Sequence, residues 1–373
     1  MTKRDPVEAR DDGTQDLYDI STWEPRTRLD RLSARVYSGV VTVTRAVFIL
    51  VALLIVLVQF VLGGIGATLA DRPAAVGLVA LSVIPALALV WYVYRAGVTG
   101  GEPLELMVGT FVLGVLFAGF AALINSFLQP ALQLVPIIGT VLFFYLVVGP
   151  VEETVKWLAV RLLPYRADSF DSVIDGAVYG AVAGFGFATI ENALYITRNL
   201  NMAGGDVASI VGPGAAAVLG AGALGVGATV GPGAALAQFG GAGQIIGAGG
   251  QITALRALAG PGHVIYSAFA GYYLGLAKFN PDRAGPIVVK GLLIAAFIHG
   301  TYNSVVGIVA GLASFFLGIP ALVAFFGFVV VYDGVFGYFL YRKLKRYRVA
   351  YDRAHADEVD GASVSPELTE FDA

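Results

Sequence analysis

Long apolar runs separated by short polar connections fill the chain from residue 40 to residue 341. They lie at about 40–69, 74–94, 104–128, 134–163, 172–197, 253–279, 284–309 and 318–341. A helix rising about 1.5 Å per residue needs roughly 20 such residues to cross a hydrocarbon core about 30 Å thick. Most of the runs reach that length, so the pattern predicts eight spans and an all-α, polytopic transmembrane helix bundle. The run at 134–163 is long enough to be tilted, or broken at Pro150.

Between the fifth and sixth runs the pattern stops. Residues 201–252 are rich in glycine and alanine and contain an internal echo, Val211-Gly-Pro-Gly-Ala-Ala and again Val230-Gly-Pro-Gly-Ala-Ala. Glycine and proline at this density oppose a regular spanning helix. The stretch reads as an insert outside the membrane, in the form of a loop or re-entrant segment. Residues 1–38 are polar and form a cytoplasmic N-terminal segment with no cleavable signal, which leaves the first span to act as its own signal. Residues 342–373 form a tail, first basic and then acidic, with no apolar pattern from Tyr351 onward; that end reads as disordered.

Composition supports the membrane reading. Hydrophobic residues make up 57% of the chain and charged residues 14%, against roughly 25% charged in a soluble domain. The basic residues set the orientation, because lysine and arginine collect on the cytoplasmic side. Arg26, Arg28, Arg31 and Arg35 precede the first span, and Arg342, Lys343, Lys345, Arg346 and Arg348 follow the last. Both termini are therefore expected in the cytoplasm, in a multi-pass protein of the cell membrane. The same count assigns Arg95, Arg166, Lys278 and Arg283 to inner loops and leaves Arg72, Arg198 and Arg256 outside. A net charge of −3, with the basic residues beside the spans, argues against nucleic acid as a partner. The lipid bilayer is the surrounding partner. No cysteine is present, which removes thiolate nucleophiles, disulfides and cysteine-ligated zinc.

An ionisable group inside a span costs about 2.5–3.5 kcal/mol on insertion scales, so each is a functional hypothesis. The fourth run carries Glu152-Glu153-Thr-Val-Lys156 and the fifth Phe187-Ala-Thr-Ile-Glu191-Asn192. The sixth carries Gly262-His263 and the seventh His299-Gly-Thr-Tyr-Asn303. Counting residues from the span ends brings Glu152, Glu191, His263 and His299 to similar depths near the midplane. Glu152 and Lys156 are four apart, as are His299 and Asn303, so each pair shares a helix face. Lys156 reads as the neutralising partner of an adjacent glutamate, Asn192 and Asn303 as either site residues or helix glue, and Asp171 and Asp175 as caps or snorkelling groups.

Glu-Glu-x-x-Lys, Phe-x-x-x-Glu, a lone span histidine and His-x-x-x-Asn, in this order on successive spans, resemble the PrsW family of intramembrane peptidases. That family sits in the larger group of CAAX proteases and bacteriocin-processing enzymes (the CPBP superfamily). The resemblance covers roughly residues 104–341. It implies Glu152 and Glu153 as the glutamate pair, Lys156 as its basic member, Glu191 in the second motif, His263 as the added histidine, and His299 with Asn303 in the last. CAAX-type relatives have a histidine where Glu191 stands.

Peptide hydrolysis needs a base for water, donors for the oxyanion and an acid for the leaving amine. Glu152 or Glu153 is expected as the base, with His299 and Asn303 as oxyanion donors. The same atoms also suit a metallopeptidase-like site: His263 and His299 with Glu152, Glu153 or Glu191 match the two-histidine, one-glutamate shell of catalytic zinc. Either version makes the chain an intramembrane endopeptidase acting on membrane-anchored proteins, for which the resemblance implies anti-sigma-factor-like regulators. No His-Glu-x-x-His, Gly-x-Ser-Gly or Gly-x-Gly-Asp motif is present, so other membrane-protease chemistries are excluded. A second function class is a proton- or ion-coupled transporter using the Glu/His cluster as a relay. Transport predicts polar groups continuing toward both faces, and proteolysis a compact cluster with lateral access.

Overall fold

The computed structural model describes residues 26–62, 65–71, 73–98, 101–136, 138–201 and 241–360, which contain helices and no strand. The chain divides into two compact units, Met1–Ile55 and Val56–Ala373. The first unit holds most of α1 (Arg28–Leu62). Its start is a capping box in which Asp30 N–H donates to the Thr27 hydroxyl at 3.1 Å and Thr27 N–H donates to the Asp30 carboxylate at 2.6 Å.

The second unit continues with α2 (Ile65–Asp71), α3 (Pro73–Arg95), α4 (Leu104–Gln133) and α5 (Gly139–Phe143). A π-helical turn (Phe144–Val148) then leads into α6 (Gly149–Leu162). After these come α7 (Val173–Asn201), α8 (Gly241–Phe279), α9 (Ala284–Leu317) and α10 (Ala321–Asp360). Among the described residues five helices are long and apolar enough to cross a membrane: Ala74–Arg95, Leu104–Gln133, Val173–Leu200, Pro281–Leu317 and Ala321–Asp352. The other three expected spans correspond to α1, whose apolar stretch is Ala46–Val58, to the broken α5–α6 run, and to α8. The protein is thus an all-α polytopic membrane protein.

The centre of the second unit is the antiparallel pair α7 and α8. Gly176, Gly180 and Gly184 recur every fourth residue on α7; a methyl group on them would run into the backbone carbonyls of Gly271, Ser267 and His263 on α8. Gly271 meets Gly176 in return, and Gly275 meets the Val173 carbonyl. Lipid tails provide no hydrophobic drive between helices, so close backbone approach at small residues carries such packing. At the start of α7, Ser172 N–H and hydroxyl both donate to the Asp175 carboxylate, at 2.8 and 2.5 Å, which confirms Asp175 as a cap. The Lys278 ammonium donates to the carbonyls of Tyr165, Ala167 and Phe170 at 2.9, 3.3 and 2.7 Å, fastening the α6–α7 connection to the end of α8.

Two sequence expectations are corrected. The sixth helix begins at Gly241 and not near 253, so the end of the expected insert is helical; the stretch lacks proline until Pro261, and Ile252 and Leu255 are buried in the core. Packing there overrides the low helix propensity of glycine. The rest of the insert, 202–240, lies outside the described residues. Arg256, counted with the outer basic residues and within the run at 253–279, lies inside α8. The last helix continues to Asp360 through the part of the tail read as disordered from Tyr351, because that segment's Ala, Arg and Glu residues are good helix formers even without an apolar face. Residues 361–373 lie outside the described residues.

Candidate active site

The fourth span breaks ahead of the expected point. Proline at 150 lacks the N–H that would bond the carbonyl of Leu146 and its ring crowds that carbonyl, and the chain answers with the π turn at Phe144–Val148. Gly149 lets this bend press on α9, since a Cβ there would strike the Ala296 carbonyl. Glu152 and Glu153 follow in the first turn of α6, both buried, and Lys156 lies one turn on, 1% exposed.

Three donors saturate Glu153. Lys156 Nζ lies 2.6 Å and His299 Nδ1 2.8 Å from its Oε1, and the Ser267 hydroxyl donates to Oε2 at 3.2 Å. The neutralising role expected for Lys156 is therefore seen directly. Its ammonium also lies 2.9 Å from His263 Nδ1 and 4.4 Å from the centre of the Phe187 ring. Phe187, the aromatic member of the Phe-x-x-x-Glu motif, packs against His263 as well, with ring centres 5.3 Å apart. His263 Nε2 is 2.8 Å from Glu191, and Arg256 binds Glu191 through Nη2 at 2.6 Å and the Asn192 side-chain oxygen through Nε at 2.8 Å.

Glu152 differs from its neighbour. Its Oε1 accepts from Asn125 Nδ2 at 3.1 Å, and its Oε2 is buried without a hydrogen-bond partner, 3.7 Å from His299 Nε2. Because Glu153 can only accept, the neutral His299 ring carries its proton on Nδ1 and leaves Nε2 as a lone pair toward Glu152.

A cavity of about 210 Å³ joins these groups, and its lining includes Glu152, Glu191, His263, His299 and Asn303. Glu153 is packed behind His299, touching it but outside the lining. The six sequence-derived residues thus fall in one region: five face the cavity and the sixth orients one of them. Sequence reasoning missed Asn125 on α4, whose signal was a carboxamide with Ser126 and Gln129 beside it in an apolar run, and Arg256, whose signal was a cation seven residues before His263. It also missed Asp333 of α10, which accepts from the Tyr266 hydroxyl at 3.2 Å. Tyr266 in turn lies against His299, ring centres 5.4 Å apart.

Among the described residues the group able to hold a metal ion is Glu152, His263 and His299, whose ligand atoms lie within 4.8 Å of one another. The carboxylate in this set is Glu152; Glu191, one of the three carboxylates considered from sequence, is turned to Arg256. The donors fit such an ion. Glu152 brings an unpartnered oxygen, His299 turns Nε2 toward it with Glu153 holding Nδ1, and His263 completes the set from α8.

Comparison with known proteins gives one family. Residues 102–333 match the family described as "PrsW family intramembrane metalloprotease". The chain is similar to "Protease PrsW" of Geobacillus kaustophilus (strain HTA426), 26% identical over 226 residues that cover 61% of this chain and 78% of that protein. It is likewise similar to "Protease PrsW" of Bacillus subtilis (strain 168), 25% identical over 228 residues covering 61% of this chain and 81% of that protein. "Protease PrsW" of Clostridioides difficile (strain 630) is 24% identical over 228 residues, 60% of this chain and 76% of that protein. No solved structure matches the chain.

Proposed function

Since this chain belongs to the PrsW family of intramembrane metalloproteases, we propose that it hydrolyses peptide bonds of membrane-anchored proteins with water activated at Glu152. The observation that carries the assignment to Glu152 is the unpartnered Oε2 of that residue, aimed at the cavity beside the His299 lone pair. A carboxylate oxygen without a donor is free to take a proton from water; Glu153, held by three donors, is not. Glu153 instead fixes the His299 ring. Asn303, one turn beyond His299 on the same cavity, supplies a carboxamide donor for the oxyanion. The His263–Glu191 pair shares a proton at 2.8 Å and serves the leaving amine, with Arg256 holding Glu191 in place.

Glu152, His263 and His299 are the residues that would hold a metal ion, and two histidines with one glutamate suit zinc. When bound, the ion would supply Lewis acidity to water and to the scissile carbonyl, and Glu152 would then act as its ligand in place of the base. The topology that accords with the basic residues is eight spans with both termini cytoplasmic, framed by the polar segment 1–38 and the tail 342–373 with the glycine-rich insert outside. Anti-sigma-factor-like regulators are the substrate class we propose. A transporter is not favoured: the polar groups form one compact cluster, and the relatives carry the name of a protease.

The experiment compares membrane proteomes of strains expressing the wild type and Glu152→Gln. A single-span protein that accumulates in the variant and is cut by the wild type is the expected result, with turnover lowered by about 10²- to 10⁴-fold. Full activity in both Glu152→Gln and Glu153→Gln would overturn the assignment. Bound metal in the purified protein, its loss on chelation together with activity, and recovery with zinc would support the zinc proposal; full activity in metal-free protein would end it.

A further inference from the structure

Apart from the Asn125 hydrogen bond to Glu152, the α4 wall of the cavity has no part in the chemistry described above, yet it is polar where it meets lipid. Asn125, Ser126 and Gln129 line the cavity there, while the adjacent Leu123, Ile124 and Phe127 are exposed at 51%, 40% and 82%. A span whose outward residues are leucine, isoleucine and phenylalanine gains nothing from three polar neighbours at the same level unless something polar arrives beside them.

On this rim one side-chain acceptor has no donor, and one main-chain acceptor lacks the donor a regular helix would give it. Asn125 gives its Nδ2 to Glu152 at 3.1 Å, and its Oδ1 is buried with no partner. The carboxylate can only accept, so the amide nitrogen must face it and the oxygen must face away. The second acceptor is a backbone carbonyl. Pro130 lies inside α4 and has no N–H to return to the carbonyl of Ser126, four residues earlier. A side-chain acceptor and a main-chain acceptor thus sit on consecutive residues, next to the carboxylate assigned to activate water.

The missing donors match the chemistry of a substrate. A transmembrane helix hides every peptide bond within its own hydrogen bonds, so a segment must unwind before water can attack it. Unwinding frees N–H groups at a depth where no bulk water can satisfy them, at a cost of several kcal/mol each. Recognition of an extended peptide by main-chain hydrogen bonds is a common way of meeting that need.

We propose that this rim of α4, through Asn125 Oδ1 and the Ser126 carbonyl, binds backbone N–H groups of the unwound substrate segment beside Glu152. The substrate class is then an extended stretch of peptide flanked by helix, admitted from the lipid side between α4 and the π turn. Asn125 is bifunctional: one end of its carboxamide orients Glu152 and the other holds the chain to be cut. This inference rests on the peptidase reading, and the test separates the two.

The probe is a synthetic peptide covering the span of the single-span protein that accumulates in Glu152→Gln membranes, reconstituted in liposomes with the full chain. In a set of such peptides, each backbone amide near the cleaved bond is replaced in turn by an ester, which removes one N–H and keeps the shape. Wild-type protein should cut one or two of the esters about tenfold more slowly than the all-amide peptide, the worth of one hydrogen bond in a dry site. Asn125→Leu should be slower on every peptide and lose that discrimination at one position. Pro130→Ala restores a donor to the Ser126 carbonyl within a regular helix and should lose it at a neighbouring position. It also serves as the readout if Asn125→Leu fails to fold. Equal ester penalties in wild type and variants at every position would overturn the proposal while leaving the peptidase reading intact. If no protein accumulates in Glu152→Gln membranes, the peptidase reading fails and this inference falls with it.

Discussion

Helices α7 and α10 are both long and apolar enough to cross a bilayer, yet 83% of the most apolar stretch of α7 is buried against 11% of that of α10. In water the more apolar helix would take the core. In lipid, apolar side chains gain nothing by leaving the solvent, so burial goes to the helix that offers close backbone approach and polar contacts. On α7 those are the glycines at 176, 180 and 184 and the acid Glu191; α10 turns Val330, Val331 and Val335 outward and buries a few apolar residues, such as Val329 and Leu340, with Asp333 as its buried acid among the described residues.

The comparison breaks most severely at its polar residues. Glu191→Gln should leave the Arg256 guanidinium without its carboxylate in a mostly buried position and cost roughly 3 kcal/mol, read as lower thermal resistance in detergent and loss of cleavage. Next come the glycines. Gly180→Ala places a methyl against the Ser267 carbonyl and should destabilise by about 1–3 kcal/mol. Gly334→Ala on α10 meets no atom within 4 Å and should be neutral or stabilising by about 0.5–1 kcal/mol. Equal thermal effects at the two sites would remove the distinction between the helices.

Asp333→Asn asks whether the one interior acid of α10 belongs to the site. It keeps the shape and an acceptor for the Tyr266 hydroxyl, so stability should change by no more than about 1 kcal/mol. Any larger change, in cleavage or in stability, would mean that α10 takes part in the chemistry. The smallest effect is expected outside the spans, at Glu102, whose carboxyl is pushed up to about 7 by burial, with Asp175 and Asp171 adding repulsion. The folded state therefore holds this proton more tightly than the unfolded chain does. Its contribution to stability is present at low pH and is lost as pH rises through about 7. Glu102→Gln should remove that slope, seen as a flatter dependence of thermal resistance between pH 5 and 8.

Much of the centre of the molecule could be read from sequence because charge in a span has one economical place, facing other polar groups. Glu152, Glu191, His263 and His299, the four counted to similar depths, line one cavity, and the Lys156 pairing followed from its spacing. Arg256 escaped because a basic residue near the end of its run reads as an orientation signal and not as the partner of Glu191. Asn125 escaped for another reason. Its partner, Glu152, is supplied by α6 across the cavity, which the pattern of α4 alone does not reveal. The division of labour between Glu152 and Glu153 was equally illegible, since adjacent identical residues differ only in the donors that three other elements bring to them.

Where α7 and α8 touch, main chain lies against main chain, so neither helix can slip by one residue without driving a side chain into a carbonyl. Their mutual register is held by the pair itself. The stretch from 202 to 240 that joins them is thereby released from any duty of measurement. Its length and composition can drift over evolutionary time, lengthen by duplication of a Val-Gly-Pro-Gly-Ala-Ala unit or shrink, while His263 stays level with Glu191.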